Sequence, residues 1–410
     1  MIDVAIVGAG AAGIAAAREL QRGGLEVRVI EARGRVGGRA HTVTTGGGAA
    51  ADLGAAWLHF ATENPWTALA RELGCRVIER EPDWGARSLV GLRPPSPEQQ
   101  AVTEAGFARN WALIDAAAAS GRDAAVADVV PRDAFRPRFD AVMTWFAGVE
   151  SSEASCIDIA RYAESAHDWA VAEGLGQVIV RAATGLPVTL GTPVEAIHWD
   201  RGRVSLMPPA GHIDARAALV TVPTAVLAAD ALRFTPELPS TWQQAFCDLP
   251  LGTCNKVFFD IDPGLLPPTP CHVVADPAAS RTVHLGLRPA EQPLVMAYFG
   301  GHLSRELEAR GELIAYAREA CASTLGADFA RGLRGGFATG WNADPWARGS
   351  YSAARPGCAD ARGRLGDAPA PWLHFAGEAG SVSHYGTLVG AWHTGVAAAR
   401  NLLTYLRTPP

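Results

Sequence analysis

The first thirty residues consist of two apolar runs separated by a helical stretch. Residues 2–7 are apolar apart from Asp3 and mainly β-branched, which predicts a buried parallel strand. The Ala-rich residues 14–21 predict a helix, and the pair Gly23-Gly24 predicts its end. Residues 25–30 predict a second strand, which ends on Glu31. Strand, helix and strand in this order predict a βαβ unit with a parallel sheet.

Residues 79–172 have a helical pattern instead. Val102, Phe107, Trp111 and Ile114 are spaced to form one apolar face of a helix over 98–119. Further helices are predicted over 139–149, 157–172 and 174–183. The segments after them predict strands over 187–190, 194–199, 203–207 and 218–222, and then a turn that enters an alternating strand over 251–260.

The first turn of the βαβ unit reads G-A-G-A-A-G over residues 8–13. Its glycines permit a tight turn, close approach of the backbone to a pyrophosphate and close packing of the helix on the strand. The N-terminus of the helix offers unpaired N–H groups and a positive dipole to phosphates. Glu31 lies 18 residues after Gly13, where a carboxylate is expected to accept hydrogen bonds from ribose hydroxyls. The unit therefore predicts a dinucleotide site.

The composition narrows the class of protein. With 410 residues, 48% of them hydrophobic and 19% charged, the chain can form two or three domains with a large core, which excludes disorder and small disulfide scaffolds. The net charge of −6 provides no basic surface for nucleic acid. Seven scattered cysteines without a C-x-x-C pair, and eleven histidines without close spacing, predict neither disulfides nor a metal site.

The same sequence predicts a cytoplasmic protein. No apolar run reaches the roughly 18 residues of a membrane span. The first strand begins at the N-terminus, which leaves no room for a signal peptide.

Lysine is nearly absent from the chain. Lys and Arg together number 36, and Lys256 is the only lysine. A strong bias toward arginine codons is one explanation for a single surviving lysine. The other is that position 256 requires a cation that arginine cannot replace, because the pKa of an ammonium falls on burial whereas a guanidinium stays charged.

Residues 31–39, which follow the second predicted strand, read E-A-R-G-R-V-G-G-R. This run resembles the E-x-R-x-R-x-G-G-R sequence of the flavin-dependent amine oxidases, and the polyamine oxidases are the branch that the chain resembles most. Further segments resemble motifs of that family in the same order, over 52–65, 223–227, 251–260, 341–351, 374–378 and 386–392. The resemblance covers 1–75, 174–262 and 337–405, and it is loose over 80–172.

The resemblance implies an α/β fold, that of a two-domain flavoprotein of the Rossmann-like, FAD/NAD(P)-binding type of p-hydroxybenzoate hydroxylase. A discontinuous FAD-binding domain would consist of residues 1–78, 173–232 and 337–410. A mixed α+β substrate domain would consist of a helical part over 79–172 and a sheet part over 233–336.

The resemblance also implies the cofactor site. FAD is expected to be bound non-covalently, because Ser350 stands where monoamine oxidases have the cysteine that links to flavin. Arg33 and Arg39 would offer guanidinium groups to phosphate or ring acceptors, and Glu378 would accept from ribityl hydroxyls. The expected FAD-binding residues are Gly8, Gly10, Ala12, Gly13, Glu31, Ala32, Arg33, Gly38, Arg39, Gly54, Ala55, Ala56, Trp57, Val194, Trp341, Gly377, Glu378, Thr387, Leu388 and Ala391.

Four residues are expected at the reacting end of the site by the same resemblance. Lys256 would hold a water at flavin N5, Tyr351 would lie beside the amine, and His59 would point into the substrate tunnel. Trp341 would serve both the cofactor and the reaction. Thr387 stands where monoamine oxidases have a second tyrosine, so the aromatic cage is incomplete unless Tyr385 or Trp57 contributes to it.

The implied activity is oxidation of an amine by hydride transfer to flavin N5, which gives an imine, then an aldehyde, with hydrogen peroxide formed from oxygen. The expected partners are a small-molecule amine and molecular oxygen, with neither nucleic acid nor membrane, and the protein is expected to be a monomer or homodimer. A polyamine could bind carboxylates, but each candidate is equally an ordinary solvated charge: Glu63, Glu153, Glu164, Asp168 and Glu173.

Other functions remain compatible with the sequence. A flavin L-amino-acid oxidase would need an arginine that binds a carboxylate, and the chain has many arginines. A monoamine oxidase or a histone demethylase shares most motifs, although no chromatin-binding insertion is expected here. An isoprenoid desaturase or isomerase is disfavoured by Lys256, Trp341 and Tyr351. From another class, a catalytically silent flavin-binding scaffold would have lost Lys256 and Tyr351.

Overall fold

The computed structural model describes residues 1–84, 88–200, 202–209 and 211–408. Pro409 and Pro410, the end of the last predicted FAD-domain segment, lie outside the described residues. The helices of the described part are α1 (Ala11–Arg22), α2 (Pro65–Glu72), α3 (Pro97–Ala119), α4 (Val126–Val129), α5 (Arg136–Ala147), α6 (Cys156–Arg161), α7 (Leu175–Ala182), α8 (Thr224–Ala228), α9 (Ser240–Asp248), α10 (Gly301–Arg310), α11 (Leu313–Leu325), α12 (Ala327–Arg331), α13 (Ala361–Gly366) and α14 (Leu388–Arg407).

Two larger sheets and two two-stranded sheets make up the β-structure of the described part. The strands are β1 (Ile2–Val7), β2 (Val27–Ile30), β3 (Thr42–Thr44), β4 (Ala50–Asp52), β5 (Val77–Ile78), β6 (Ala170–Val171), β7 (Val188–Thr189), β8 (Ala196–Asp200), β9 (Arg203–Met207), β10 (Ile213–Val220), β11 (Arg233–Thr235), β12 (Cys254–Asp260), β13 (Cys271–Val274), β14 (His284–Leu287), β15 (Leu294–Gly300), β16 (Arg334–Ala338) and β17 (Leu373–Phe375).

The first sheet contains the predicted βαβ unit. Its strands run in the order β11-β8-β9-β10-β1-β2-β7, and β17 pairs in parallel with β10. Val4 and Ile6 of β1 are buried with Leu402 of α14 on one side of the sheet. Ala5 is buried with Phe246 of α9 on the other side. Helices therefore cover both faces, which explains why β1 is apolar at every position except Asp3.

The second sheet is antiparallel, in the order β13-β14-β15-β12-β16. Because alternate residues of a strand face opposite sides, Val257 and Phe299 are buried against α10 and α11. Lys256 lies on the opposite face, directly across from Tyr298 of β15, which is itself across from His284 of β14. A row of polar side chains therefore crosses the face that α10 and α11 do not cover.

Helices α3–α6 form a layer with its own core, which includes Ile114 and Phe139. The predicted apolar face of α3 is wrong at Val102, which is 63% exposed. The buried positions of α3 begin only at Gly106, because the helix packs against its neighbours through its C-terminal half.

The helix predicted over 157–172 is wrong for most of its length. α6 ends at Arg161, and β6 pairs antiparallel with β5. That partner lies more than ninety residues earlier in the chain, so the local pattern does not contain it. The helix predicted over 139–149 ends at Ala147, because Gly148 takes a left-handed conformation with φ +73°.

The predicted division at residue 233 falls at the first residue of β11. β11 pairs in parallel with β8, so residues 233–235 belong to the first sheet. The α9 residue Phe246 is buried against the same sheet. The residues of the second sheet therefore begin after α9, and its last strand, β16, continues two residues beyond 336.

A fully buried ion pair joins α6 to the C-terminal segment. Arg362 is 0% exposed, and its Nη2 donates to Asp158 at 2.8 Å. Its Nη1 donates to Ser352 Oγ at 2.8 Å and to the carbonyl O of Ala379 at 3.1 Å. The guanidinium lies 3.6 Å from the centre of the Tyr385 ring. Since each guanidinium nitrogen finds an acceptor, this pair can remain charged without water.

Replacing Arg362 by Met is expected to leave the Asp158 carboxylate buried without its cation, which lowers the free energy of unfolding by about 3–5 kcal/mol. The matched control is Arg161→Met, because Arg161 pairs with Asp360 at the exposed surface, where such pairs contribute about 0–1 kcal/mol. Urea unfolding of both variants measures the difference. Equal stability of the two variants would contradict the role given to the buried pair.

Candidate active site

A cavity of about 960 Å³ lies between the two sheets and the helical layer. Its wall is built from the β1–α1 turn, residues 31–40, 52–59 and 377–391, and one face of the second sheet. Every predicted site residue except Gly13 lies on this wall. Segments far apart in the chain therefore meet around one cavity.

The glycine turn lies at one end of the cavity. Gly8 has φ +107°, a conformation that favours glycine. A Cβ on Gly10 would meet no described atom within 4 Å, so the backbone at this place is open to a ligand. A Cβ on Gly13 would lie 2.0 Å from the carbonyl O of Gly8. Gly13 is thus required for the close packing of α1 on the turn, while Ala12 reaches the cavity wall.

Glu31 is buried beside this turn. Its Oε2 accepts from the backbone N–H of Ala9 at 2.8 Å, and its Oε1 accepts from that of Arg33 at 2.8 Å. The Arg33 guanidinium is held by both carboxylate oxygens of Asp344, at 2.6 and 2.8 Å. Arg33 and Ala32 line the cavity. The orientation of the Arg33 guanidinium is set by Asp344, a contact that the sequence analysis did not predict.

Arg39 and Glu378 form a second charged pair on the wall. Arg39 Nη1 donates to Glu378 Oε1 at 2.9 Å and to the carbonyl O of Ser350 at 2.6 Å. Glu378 Oε2 also accepts from Ser352 Oγ at 2.7 Å and from the N–H of Gly386 at 2.8 Å. Burial opposes ionisation of Glu378, but Arg39 and these donors outweigh it and lower its pKa. The carboxylate therefore stays ionised.

The wall next to Lys256 consists of residues 53–57. A Cβ on Gly54 would lie 1.8 Å from the carbonyl O of Arg39, so glycine is required there. Trp341 Nε1 donates to the carbonyl O of Leu53 at 3.3 Å, which fixes the indole against this segment. The remaining predicted residues of the segment, Ala55, Ala56 and Trp57, line the cavity.

Lys256 is 7% exposed, and its Nζ donates to two backbone carbonyls, of Asp52 at 2.9 Å and of Gly54 at 2.7 Å. Burial lowers the pKa of Lys256 to about 8, although Asp52 opposes the shift. Burial also raises the pKa of Asp52, whose carboxylate accepts from Thr42 and from the N–H of Leu175. Near neutral pH the ammonium can thus both donate hydrogen bonds and release a proton at little cost.

Tyr351 lies beside Lys256 in a buried network of hydroxyl groups. Its Oη donates to the carbonyl O of Trp145 at 2.5 Å and lies 3.0 Å from Tyr298 Oη and 2.9 Å from Cys254 Sγ. Burial raises the pKa of Tyr351 and of Tyr298 well above the usual value for tyrosine. Both phenols are therefore neutral, and their hydrogen bonds hold the Tyr351 ring in one orientation on the cavity wall.

An aromatic group continues the wall beyond Tyr298. The rings of His272 and His284 are stacked, with centroids 4.8 Å apart and planes at 9°. Trp84 lies 4.6 Å from His272, and Trp145 lies 5.3 Å from His284. Burial lowers the pKa of His272 to about 4 and that of His284 well below its usual value. Both imidazoles are therefore neutral in the working pH range.

His59 lies on the wall at a more open place. Its Nδ1 is 2.8 Å from Asp168 Oδ1, and its side chain is 31% exposed. Ser165 Oγ donates to the same carboxylate at 2.7 Å. The Asp168 contact fixes the orientation of the imidazole at the cavity wall.

The remaining predicted residues lie toward the other end of the cavity. Val194 is buried on the wall beyond β7. Thr387 is the N-cap of α14, where its hydroxyl accepts from the N–H of Gly390 at 3.0 Å. Gly377, Leu388 and Ala391 line the cavity beside it. The positive end of a twenty-residue helix therefore points toward this part of the wall.

The lining residues that the sequence analysis did not name include Arg138, Trp145, His272, His284 and Tyr298. None of them belongs to a motif. His272, His284 and Tyr298 could have been identified as polar residues within otherwise apolar strands. A side chain that faces a site interrupts the apolar pattern of its strand.

The cavity fits a dinucleotide by its shape and its donors. Open backbone at Gly10 and Gly377, the start of α1 and the buried carboxylate of Glu31 together form a site for phosphate and ribose groups. Within the described ranges no group of three or more His, Cys, Asp or Glu could hold a metal ion. No described helix is both long and apolar enough to cross a membrane.

Comparison with known proteins agrees with this geometry. The family model described as flavin containing amine oxidoreductase matches residues 11–87 and 104–403. Polyamine oxidase 2 of Arabidopsis thaliana is 29% identical over 97% of this chain and 87% of its own length. Polyamine oxidase 4 of Oryza sativa subsp. japonica is 29% identical over 97% of this chain and 88% of its own length.

The solved structures that resemble the chain show the same fold. Cyclohexylamine oxidase from Brevibacterium oxydans IH-35A matches with a TM-score of 0.79 and 21% identity, over 99% of this chain and all of that one. A putrescine oxidase double mutant matches with a TM-score of 0.77 and 22% identity, over 98% of this chain and 99% of that one. The architecture is thus that of a two-domain flavoprotein, and the family match covers most of the chain. This chain belongs to the flavin containing amine oxidoreductase family, and it is an FAD-dependent amine oxidase with a non-covalent cofactor.

Proposed function

We propose that the amine is oxidised at the part of the cavity bounded by Lys256, Tyr351 and Trp341. The observation that carries this proposal is the position of the single lysine of the chain, buried on the same cavity wall as the dinucleotide cradle. A codon accident gives no reason for the one lysine to lie there.

Different residues of the cavity would bind different parts of FAD. The start of α1 and Gly10 suit the phosphates, Glu31 suits the ribose, and the start of α14 suits a negative charge on the flavin ring. When bound, FAD supplies the acceptor for the hydride of the amine α-carbon. The overall reaction balances as R–CH2–NH2 + O2 + H2O → R–CHO + NH3 + H2O2.

The protein groups bind, orient and desolvate the substrate. The neutral phenols of Tyr351 and Tyr298 form a rigid aromatic wall for the amine. A largely apolar surrounding favours the uncharged amine, the form that can release a hydride. Lys256 Nζ, already held by two carbonyls, can orient a water with its third hydrogen and can exchange a proton near neutral pH. His59 would guide the amine from the more open side.

Polyamine-oxidase-like chemistry is supported by the similarity to polyamine oxidases. We propose in addition that the reaction releases hydrogen peroxide. The protein is proposed to be cytoplasmic and to be a monomer or a homodimer. The seven cysteines, all of them free, suit a reducing compartment. A catalytically silent scaffold is disfavoured, because Lys256 and Tyr351 both lie on the cavity wall.

The first test is a screen for peroxide release from polyamines, diamines, monoamines and amino acids, with the flavin content measured on the same sample. We expect a yellow protein whose flavin is released by acid, and peroxide with at least one class of amine. A protein that takes up no FAD, or a fully loaded protein that is silent with every class, would refute the proposed activity.

Lys256→Met is expected to retain FAD but to slow flavin reduction or reoxidation by about 100-fold or more, because the ammonium that orients the water is lost. Stopped-flow absorbance of the flavin measures both half-reactions. Lys256→Arg is the matched variant, since it restores the charge but not the low pKa.

We expect the Arg variant to recover little of the rate. Near-wild-type rates in both half-reactions of the Met variant would eliminate the role of Lys256. Recovery by Arg would show that charge alone is sufficient there.

A further inference from the structure

Asp52 is a carboxylate of the cavity wall to which the proposed reaction assigns no role. It is the last residue of β4, and its backbone carbonyl accepts a hydrogen bond from Lys256 Nζ at 2.9 Å. Its side chain contacts Thr42 of β3 and the start of α7. One residue therefore joins the single lysine of the chain to a helix that does not itself touch that lysine.

Within the described residues, every hydrogen bond to the Asp52 carboxylate comes from a donor. The N–H of Leu175 donates to Oδ2 at 2.9 Å, and the N–H of Gly176 lies 3.3 Å from Oδ1. Thr42 Oγ1 accepts from the N–H of Gly176 at 2.9 Å, which leaves its own hydrogen for Asp52. Burial raises the pKa of Asp52, but these donors and the positive end of α7 oppose that effect. Near neutral pH the carboxylate is therefore ionised, because a protonated one would have to face its neighbours' hydrogens with its own.

Close packing fixes these donors in place. Gly174 has φ +89°, and a Cβ there would lie 2.2 Å from Thr42 Cγ2. A Cβ on Gly176 would lie 2.5 Å from the backbone N of Thr42. Both glycines are needed for α7 to come this close to β3, so the Asp52 carboxylate is held in one position.

Asp52 also supplies the negative charge that acts on Lys256. That charge raises the pKa of Lys256 against the larger effect of burial, which brings it to about 8. The described titratable groups that face Lys256 besides Asp52 are Cys254 of the same strand, Tyr298 of β15 and Tyr351. Burial raises the pKa of Cys254 to about 11 and those of the two tyrosines well above their usual value. These three groups are thus uncharged near neutral pH.

We propose that Asp52 is a positioning residue for Lys256, because it anchors the carbonyl that binds Nζ and supplies the negative charge that keeps Nζ protonated. The inference rests on the proposed function of Lys256 and names the group that controls it. Two hydrogens of the ammonium are held by carbonyls, so a third is available to a water only while Nζ is protonated. Without the charge of Asp52, Nζ would lose that hydrogen at a lower pH.

The test uses the fact that Lys256 is the only lysine. Lysine labelled with 13C at Cε gives a single labelled side chain, whose chemical shift against pH reports the protonation of Nζ in the FAD-loaded enzyme. We expect a midpoint near 8 in the wild type. In Asp52→Asn, which keeps the size of the side chain, we expect the midpoint about 1–3 pH units lower, the usual effect of losing one nearby opposite charge. An unchanged midpoint would overturn the proposal.

Asp260→Asn is the matched control. Asp260 lies on the same strand as Lys256 and binds the turn between β3 and β4, through the hydroxyl of Thr45 and the N–H of Gly47. It is four residues from Lys256, about 13 Å along the strand, so we expect the midpoint to stay at its wild-type value. Equal shifts in the two variants would show that any loss of charge near this turn moves the midpoint, which would overturn the specific role of Asp52.

The wild type keeps the proposal testable if Asp52→Asn does not fold. A buried lysine without a counter-charge titrates at about pH 5–6. A wild-type midpoint near 8 agrees with an ionised Asp52 beside Nζ, whereas a midpoint below about 6 would overturn the proposal.

The rate that Lys256 supports is expected to follow the same midpoint. In the half-reaction that Lys256→Met slows, the rate constant should fall as the pH rises through the pKa of Lys256, because the ammonium is lost. In Asp52→Asn this fall should occur at lower pH, by the same shift as the resonance; the same amine and pH series for both enzymes cancel the titration of the substrate. A profile that stays in place while the resonance moves would overturn the role of Asp52 in the reaction. No effect of Lys256→Met on either half-reaction would instead refute the proposed function of Lys256, on which the resonance does not depend.

Discussion

The hydrogen bonds from Lys256 Nζ to the carbonyls of Asp52 and Gly54 are the contact on which the site depends. They join β12 of the second sheet to the end of β4 and the segment after it, two neighbouring parts of the cavity wall. A buried ammonium is costly unless its donors are satisfied. The lysine therefore stays in place only because both carbonyls face it, and Gly54 allows this by its close approach to the carbonyl O of Arg39.

Two charged clusters maintain the same arrangement at longer range. Arg39 and Glu378 join residues 31–40 to the C-terminal segment, and Arg362 with Asp158 joins that segment to the helical layer. Ser352 donates to Glu378 and accepts from Arg362, so the two clusters share one hydroxyl. An unpaired polar group in such a low-dielectric network is costly, so removing one member lowers the free energy of unfolding. Because the same residues line or support the cavity wall, the shape of the cavity and the stability of the fold depend on one another.

How much the sequence predicts depends on how local each interaction is. The βαβ unit is predictable because its apolar runs, glycines and Glu31 follow one another in the chain. The end of α6 at Arg161 is not predictable, because the strand β6 that follows it forms by pairing with β5, which is distant in the chain. The contact of Arg33 with Asp344 spans 311 residues. Tyr298 and His284 belong to no motif, and only the register of the second sheet aligns them with Lys256.

The central claim is that a single cavity receives the flavin and the amine, with the reacting carbon next to Lys256 and Tyr351. A crystal structure of the FAD-loaded protein with a bound, non-oxidisable amine analogue tests this most directly. The account predicts the dinucleotide along Gly8, Gly10 and Glu31, and the amine nitrogen in the space bounded by Lys256, Tyr298 and Tyr351. An amine bound elsewhere, or a flavin ring remote from Lys256, would contradict it.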